Sequence, residues 1–137
     1  MTVRGCLSTL VAVLLTVAVL SPADALFRES NPQDSRIDWV HVSGLSKNRY
    51  LPETIPPGVA IFDYNNDGRM DILLVNTGES TFFHPEHPPK TALYRNNGDG
   101  TFTDVAVDAG ITPNFFGMGV AVGDNDGDGY DDVFLTG

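Results

Sequence analysis

Two nine-residue segments, DYNNDGRMD at residues 63–71 and DNDGDGYDD at residues 124–132, place carboxylates at a spacing that suits cation binding. In each segment, oxygen-bearing side chains occupy positions 1, 3, 5 and 9, and glycine occupies position 6. So many like charges in one short segment repel each other unless a cation lies among them. Alternate side chains of a loop that turns back on itself converge on one point. This number of hard oxygen ligands suits Ca²⁺ better than Mg²⁺, which keeps more of its waters.

The first loop (residues 63–71) has the predicted side-chain ligands Asp63, Asn65, Asp67 and Asp71. The second loop (residues 124–132) has Asp124, Asp126, Asp128 and Asp132. By analogy with the EF-hand loop, the main-chain carbonyl at position 7, from Arg69 or Tyr130, is the expected further ligand. We therefore expect one Ca²⁺ in each loop, two in all. The first loop should bind more weakly because Asn65 removes one charge.

Three other interpretations of these loops fit the sequence less well. The first six positions match the EF-hand pattern, but that motif closes with Glu at position 12, where this chain has Leu74 or Leu135. Position 9 must then close the site. A metal-free turn rich in Asn, Asp and Gly would explain a single copy, whereas two copies in register favour a cation. A dockerin-like pair of helix-flanked loops would repeat at a much closer spacing than 61 residues.

The two loops belong to a longer internal repeat. A shift of 61 residues aligns Gly58–Asp63 with Gly119–Asp124 and Asp71–Leu74 with Asp132–Leu135. An earlier segment repeats at a shift of 66, which aligns Asp38 with Asp104. A period in this range indicates a solenoid, an array or a propeller. We assign the first unit to residues 36–101 and the second to residues 102–137.

Short segments rich in β-branched and aromatic residues within the repeat predict strands. The predicted strands are Val59–Phe62, Asp71–Val75, Ala92–Arg95 and Thr101–Val105. The segment Asn97–Gly100 predicts a hairpin turn, because glycine adopts positive φ and Asn and Asp tolerate it. No sustained 3.6-residue period follows the leader. The predicted fold class is therefore all-β, in the form of a partial β-propeller.

The first 25 residues have the composition of a secretory signal peptide. Arg4 precedes an apolar segment, Leu7–Leu20, and Ala23–Ala25 forms a cleavage site of the small-x-small type. The apolar segment is shorter than the roughly 20 residues that span a bilayer. We predict cleavage after Ala25, which leaves residues 26–137 as an exported chain that is secreted, periplasmic or on the cell surface.

The charge balance restricts the partners. The 137 residues carry 8 Lys and Arg against 18 Asp and Glu, a net charge of −10, which argues against binding to nucleic acid or anionic membranes. The single cysteine, Cys6, lies in the leader. The exported chain would therefore contain no disulfide, and bound metal is one of the few remaining ways to stabilise so small a unit.

Residues 36–137 resemble the FG-GAP and VCBS-type repeats of integrin α-chain propellers and of many exported bacterial proteins. The resemblance rests on Phe116-Gly117, on Gly119–Asp124 and on the D-x-D-x-D-G-x-x-D loop that follows. The segments Leu93–Gly100 and Phe102–Val105 are most similar to the cartilage-acidic-protein-like bacterial subgroup. The resemblance implies a calcium-binding β-propeller. Such rings have about four to eight blades, so the chain would supply about two, and downstream sequence or other chains would supply the rest.

The expected function is a non-enzymatic binding or adhesion scaffold for a protein or glycan ligand. The sequence contains no G-x-S-x-G, Walker A or H-E-x-x-H motif. The alternative is the propeller part of an exported hydrolase or lyase that acts on polysaccharide or phosphoester. His84 and His87 are the residues to test for it, although the prolines around them predict an exposed loop. Trp39 could stack on a sugar, but its place in the repeat favours a packing role.

Overall fold

The structure is a computed structural model that describes residues 27–81, 83–87, 89–111 and 116–137. The predicted signal peptide, residues 1–25, lies outside the described residues. The elements, in chain order, are helix α1 (Pro32–Ser35), a 3₁₀ turn (Leu51–Thr54) and strands β1 (Val59–Phe62), β2 (Asp71–Leu74), β3 (Ala92–Asn96), β4 (Phe102–Asp104), β5 (Gly119–Gly123) and β6 (Asp132–Thr136). Within the described ranges, no helix has the length and apolarity to cross a bilayer.

The strands form two antiparallel sheets. β1, β2, β3 and β4 pair in chain order, with Phe62 opposite Asp71 across the first pair. β5 and β6 form the second sheet, in which Gly123 lies opposite Asp132. These are the pairings of one four-stranded propeller blade and of the first two strands of another, so the predicted fold class, a partial β-propeller, is confirmed.

The strand predictions agree with the structure to within one residue at each end. The predicted hairpin turn at Asn97–Gly100 joins β3 to β4, and the N–H of Asn97 donates to the carbonyl of Thr101 at 3.0 Å. The sequence-repeat boundary between residues 101 and 102 falls inside the first sheet, between β3 and β4. The sequence repeat and the four-stranded sheet are therefore offset by one strand.

The hydrophobic core lies between the two sheets. Phe62, Leu73 and Leu93 of the first sheet are buried in it together with Val105 and Ala106, which follow β4. The second sheet contributes Val120, Val122, Val133 and Leu135, all partly buried. Because side chains alternate across a strand, one face of each sheet makes this contact and the other faces away. The two Asp-rich loops follow β1 and β5 directly, so the packing of the sheets fixes where the loops lie.

Equivalent residues of the two units lie in different surroundings. Leu73 is fully buried, whereas Phe134, 61 residues later, is 57 % exposed. Conversely, Val59 and Ile61 are 61 % and 66 % exposed, whereas their equivalents Val120 and Val122 pack against the core. The apolar sequence pattern therefore repeats in both units, even at described positions such as Val59, Ile61 and Phe134, where the side chain is exposed.

Gly58 allows β1 to approach β5 closely. A Cβ atom added there would lie 2.8 Å from Val120 Cγ1 and 2.9 Å from the main-chain nitrogen of Val120. At the equivalent position, Gly119, an added Cβ would meet only Thr136 Oγ1, at 2.8 Å. A side chain can rotate away from such a contact, but a main-chain nitrogen moves only if the strands separate.

Gly58→Ala is therefore expected to lower the free energy of unfolding by about 1–3 kcal/mol, the usual cost of overpacking. Gly119→Ala should cost less than about 1 kcal/mol, because the Thr136 hydroxyl can rotate. Both changes reduce the entropy of the unfolded chain alike, so that contribution cancels in the comparison. Urea unfolding in excess chelator measures the free energy of unfolding of both variants. Equal losses of stability would show that the close contact with Val120 does not determine the effect.

Candidate metal centre

The second loop brings three predicted ligands together. The carboxylate oxygens of Asp124, Asp126 and Asp128 lie within 4.8 Å of one another, and all three side chains are exposed. Calcium–oxygen distances are about 2.4 Å, so oxygens on opposite sides of one ion are about 4.8 Å apart. Both the donor chemistry and the spacing therefore fit a hard divalent cation, and this cluster could bind a metal.

Five side-chain to main-chain hydrogen bonds shape both loops in the same way. The side chain at position 1 accepts hydrogen bonds from the N–H groups of positions 5 and 6. The side chain at position 3 accepts from the N–H of position 5, and the side chain at position 5 accepts from the N–H of position 7. Position 9 accepts from the N–H of position 2. All ten donor–acceptor distances lie between 2.7 and 3.2 Å. This shared network holds the oxygens of each loop on its inner side.

Position 6 requires glycine in both loops. Gly68 and Gly129 have φ of +84° and +89°, a conformation that residues with a Cβ rarely adopt. Each also donates its N–H to the carboxylate at position 1, Asp63 or Asp124. The glycine thus turns the chain and directs an amide at the first predicted ligand, as the sequence pattern indicates.

The first loop contains an internal cation. Arg69 Nη1 lies 3.0 Å from Asp67 Oδ2, which also accepts a hydrogen bond from Asn65 Nδ2 at 3.2 Å. Partial desolvation raises the pKa of Asp67, but the hydrogen bonds from Asn65 and Arg69 outweigh it and the pKa is lowered overall. Asp67 is therefore held in its ionised form, with one oxygen already paired to a guanidinium.

Position 9 differs between the two loops. The Asp71 side chain is fully buried, and its second oxygen accepts the N–H of Asn96 on β3 at 2.7 Å. Asp132 is exposed, and its carboxylate accepts only the N–H of Asn125 among the described residues. The difference arises because β3 lies beside β2, while the described second sheet contains only β5 and β6.

The ligand assignments that rest on main-chain carbonyls stay predictions. Arg69 and Tyr130 both lie at position 7, where their N–H groups donate to the carboxylate at position 5. The closing role of position 9 likewise stays a prediction. Asp131, beside the closing position, is exposed.

Three polar residues make contacts at the loops that the sequence reasoning did not predict. Asn66 Nδ2 donates to the carbonyl of Gly129 at 2.8 Å, which joins the two loops. Asn96 Nδ2 donates to the carbonyl of Met70 at 3.2 Å, in addition to the bond from its N–H to Asp71. The Arg69 guanidinium packs against Gly98 in the β3–β4 turn. Only Asn66 had a sequence signal, because its equivalent in the second loop is glycine.

The histidine loop does not form a second metal cluster in the described residues. His84 is exposed and its Nε2 lies 3.7 Å from Glu79, and the acidic group that could hold a metal includes neither His84 nor His87. Trp39 is partly buried, its indole N–H donates to the carbonyl of Lys90 at 2.9 Å, and its ring stacks on His41. These contacts fit the packing role expected for Trp39.

A buried tyrosine links the segment before β1 to the first sheet. The Tyr94 hydroxyl donates to Asp38 Oδ1 at 2.9 Å. Burial, and then the hydrogen bond to the Asp38 carboxylate, raises the pKa of Tyr94 to about 12. The phenol therefore stays protonated at neutral pH, and its contact with Asp38 is structural.

Residues 63–135, just over half of the chain, match the family model for the FG-GAP-like repeat. The matched range begins at the first residue of the first loop, directly after β1, and ends within β6, so it includes both Asp-rich loops, strands β2 to β5 and most of β6. No curated protein and no solved structure gives a significant match.

Proposed function

Since the chain belongs to the FG-GAP-like repeat family, we propose that it is a calcium-stabilised β-propeller module that acts as an exported binding or adhesion scaffold. The observation that carries this proposal is the convergence of the Asp124, Asp126 and Asp128 carboxylates in the second loop. FG-GAP-like repeats are propeller modules typical of extracellular and surface proteins, where millimolar Ca²⁺ can fill sites with dissociation constants of about 10⁻⁴ to 10⁻³ M.

In this proposal the side chains at positions 1, 3, 5 and 9 hold one Ca²⁺ in each loop. When bound, the ion supplies positive charge among carboxylates that otherwise repel each other. The chain itself supplies the rest: the repeated hydrogen bonds from main-chain N–H groups already orient the predicted side-chain ligands. This preorganisation lowers the entropic cost of binding.

The second loop should be the tighter site. It carries five carboxylates, at positions 1, 3, 5, 8 and 9, against three in the first loop, where Arg69 also adds a positive charge. The Arg69–Asp67 ion pair must loosen or share an oxygen before Asp67 can act as a full ligand. Ligand charge is one of the features that tune calcium affinity, so both differences favour the second loop.

Calorimetric titration with Ca²⁺ tests this order. We expect two binding events, of which Asp128→Asn removes the tighter one. Arg69→Gln should strengthen the weaker one by about two- to five-fold, the range expected for loss of a competing exposed ion pair. Arg95→Gln, which removes the same charge from β3, is the matched control and should leave both events nearly unchanged. An absence of heat and of any competition with a calcium indicator would overturn the proposal.

The chemistry of the second loop supports the proposed scaffold function. The carboxylates of the second loop are exposed and surround a point suited to a cation. In this proposal a cation bound there stabilises the fold, as expected of a scaffold. A protein or glycan ligand is the proposed partner, and the exposed apolar faces of β1 and β6 are where further blades, from downstream sequence or from other chains, would pack.

A further inference from the structure

The two Asp-rich loops are in direct contact through one side chain. Asn66, at position 4 of the first loop, donates from Nδ2 to the carbonyl oxygen of Gly129, at position 6 of the second loop, over 2.8 Å. The two residues are 63 positions apart in the chain. The contact therefore depends on the packing of β1 against β5, after which the loops begin.

The acceptor belongs to a peptide group that also holds a predicted ligand. The carbonyl of Gly129 and the N–H of Tyr130 form one peptide unit, and that N–H donates to Asp128 Oδ1 at 2.8 Å. Hydrogen bonds in series polarise one another, so a donor on the carbonyl strengthens the bond made by the N–H. Asn66 is thus separated from the carboxylate of Asp128 by a single peptide unit.

On the other side, Asn66 lies between two predicted ligands of the first loop, Asn65 and Asp67. The N–H of Asp67 donates to Asp63 Oδ1 at 3.0 Å and to Asn65 Oδ1 at 3.2 Å. When these side chains are held around a cation, the backbone on both sides of Asn66 is held as well. Order in the first loop therefore fixes the position of the amide that reaches the second.

The repeat shows that this asparagine is more than a turn residue. Asn66 has φ of +55°, and its equivalent in the second loop is Gly127, with φ of +79°. Glycine meets this backbone requirement without strain, whereas a residue with a Cβ incurs a penalty there. The Asn66 side chain offsets that penalty through its bond to Gly129. Gly127 has no side chain, so the second loop has no equivalent hydrogen-bond donor at this position.

We propose that Asn66 is a positioning residue that couples the two loops, so that a cation in the first loop raises the affinity of the second. This inference rests on the proposed calcium function. Coupling of this kind is reciprocal, so a cation in the second loop must raise the affinity of the first by the same factor. One neutral hydrogen bond corresponds to a coupling of about three- to five-fold in affinity.

The test follows each loop separately by its own glycine amide in a nitrogen–proton correlation spectrum. Gly68 N–H donates to Asp63 and Gly129 N–H donates to Asp124, so each resonance reports the occupancy of its own loop as Ca²⁺ is added. The first loop is disabled by Asp63→Asn with Asp67→Asn. The quantity measured is the ratio of the second-loop affinities with and without an intact first loop.

This ratio should be about three- to five-fold larger in the native background than in the Asn66→Gly background. Long-range electrostatic repulsion between the two loops is the same in the native and Asn66→Gly backgrounds, so it cancels when the two ratios are compared. Asn66→Gly copies the residue of the second loop and should fold. Asn66→Asp keeps the size and the tolerance of positive φ but cannot donate, and it should lower the ratio equally. The control Asn125→Ala removes an asparagine of the second loop whose main-chain N–H makes its contact with Asp132.

The possible outcomes separate this inference from the one on which it depends. If neither glycine amide shifts with Ca²⁺, the calcium function itself is wrong. If both shift and the ratio is the same in the native and Asn66→Gly backgrounds, calcium binding stands and the coupling through Asn66 is overturned. A ratio that falls in both Asn66 variants but not in Asn125→Ala supports the coupling.

Discussion

In about 10 mM Ca²⁺ the midpoint of thermal unfolding is expected to lie about 10 °C higher than in excess chelator. The reason is mass action. A ligand that binds only the folded state, present at about 100 times its dissociation constant, adds about 2.7 kcal/mol to the free energy of unfolding. A site at the weak end of the extracellular range, near 10⁻³ M, would add about half as much. Mg²⁺ at the same concentration should give a smaller rise, because it retains its waters.

Asp124→Asn combined with Asp128→Asn should remove most of this rise. Both residues belong to the cluster of converging carboxylates in the second loop, and an amide is a weaker ligand for Ca²⁺ than a carboxylate. The matched control is Asp34→Asn combined with Asp108→Asn, which changes the net charge equally at two exposed residues outside both loops. The control should keep the rise. Loss of the rise in both double variants would indicate general charge screening, and identical melting curves with and without chelator in the native chain would contradict the proposed function.

The strands and turns were predictable from sequence because their causes are local. β1 starts and ends where the sequence predicts, at Val59 and Phe62, since apolar residues there lie between a proline-rich segment and the first Asp-rich loop. The turn at residues 97–100 follows from alternating Gly with Asn and Asp. The repeated hydrogen bonds inside each loop also join residues no more than seven positions apart, so one nonapeptide pattern predicts both loops.

The contacts by which other parts of the chain reach the two loops were not predicted, and they join residues that are distant in the chain. The bond from Asn96 to Asp71 spans 25 residues, and that from Asn66 to Gly129 spans 63. Each of these hydrogen bonds forms because two strands or two sheets pack together. The sequence near Asp71 or Asn66 does not indicate which distant residue will be its hydrogen-bond partner. The same is true of burial. Position 9 is aspartate in both loops, yet Asp71 is fully buried and Asp132 is exposed.

This difference between Asp71 and Asp132 leads to a second prediction of large effect. Asp71→Ala should lower the free energy of unfolding by about 3 kcal/mol, because two main-chain N–H groups lose their acceptor and each unmade bond costs about 1–3 kcal/mol. The two donors are Tyr64 and Asn96, and Asp71 itself is 0 % exposed, so water cannot easily replace it. Asp132→Ala should cost less than about 1 kcal/mol, since only the N–H of Asn125 is affected and the site is open to water.

Urea unfolding in excess chelator is the appropriate measurement, because it removes any contribution of position 9 as a cation ligand. Asp71→Asn should then fall between the native chain and Asp71→Ala, because the two N–H groups bind different carboxylate oxygens and the amide keeps only one of these two acceptors. Equal losses in Asp71→Ala and Asp132→Ala would contradict this account. A larger loss of stability in Asp71→Ala than in Asp132→Ala would instead mean that position 9 stabilises the metal-free fold only where a third strand lies beside it, as β3 does for Asp71. An aspartate that serves one loop mainly as a ligand would then serve the other as a structural acceptor as well.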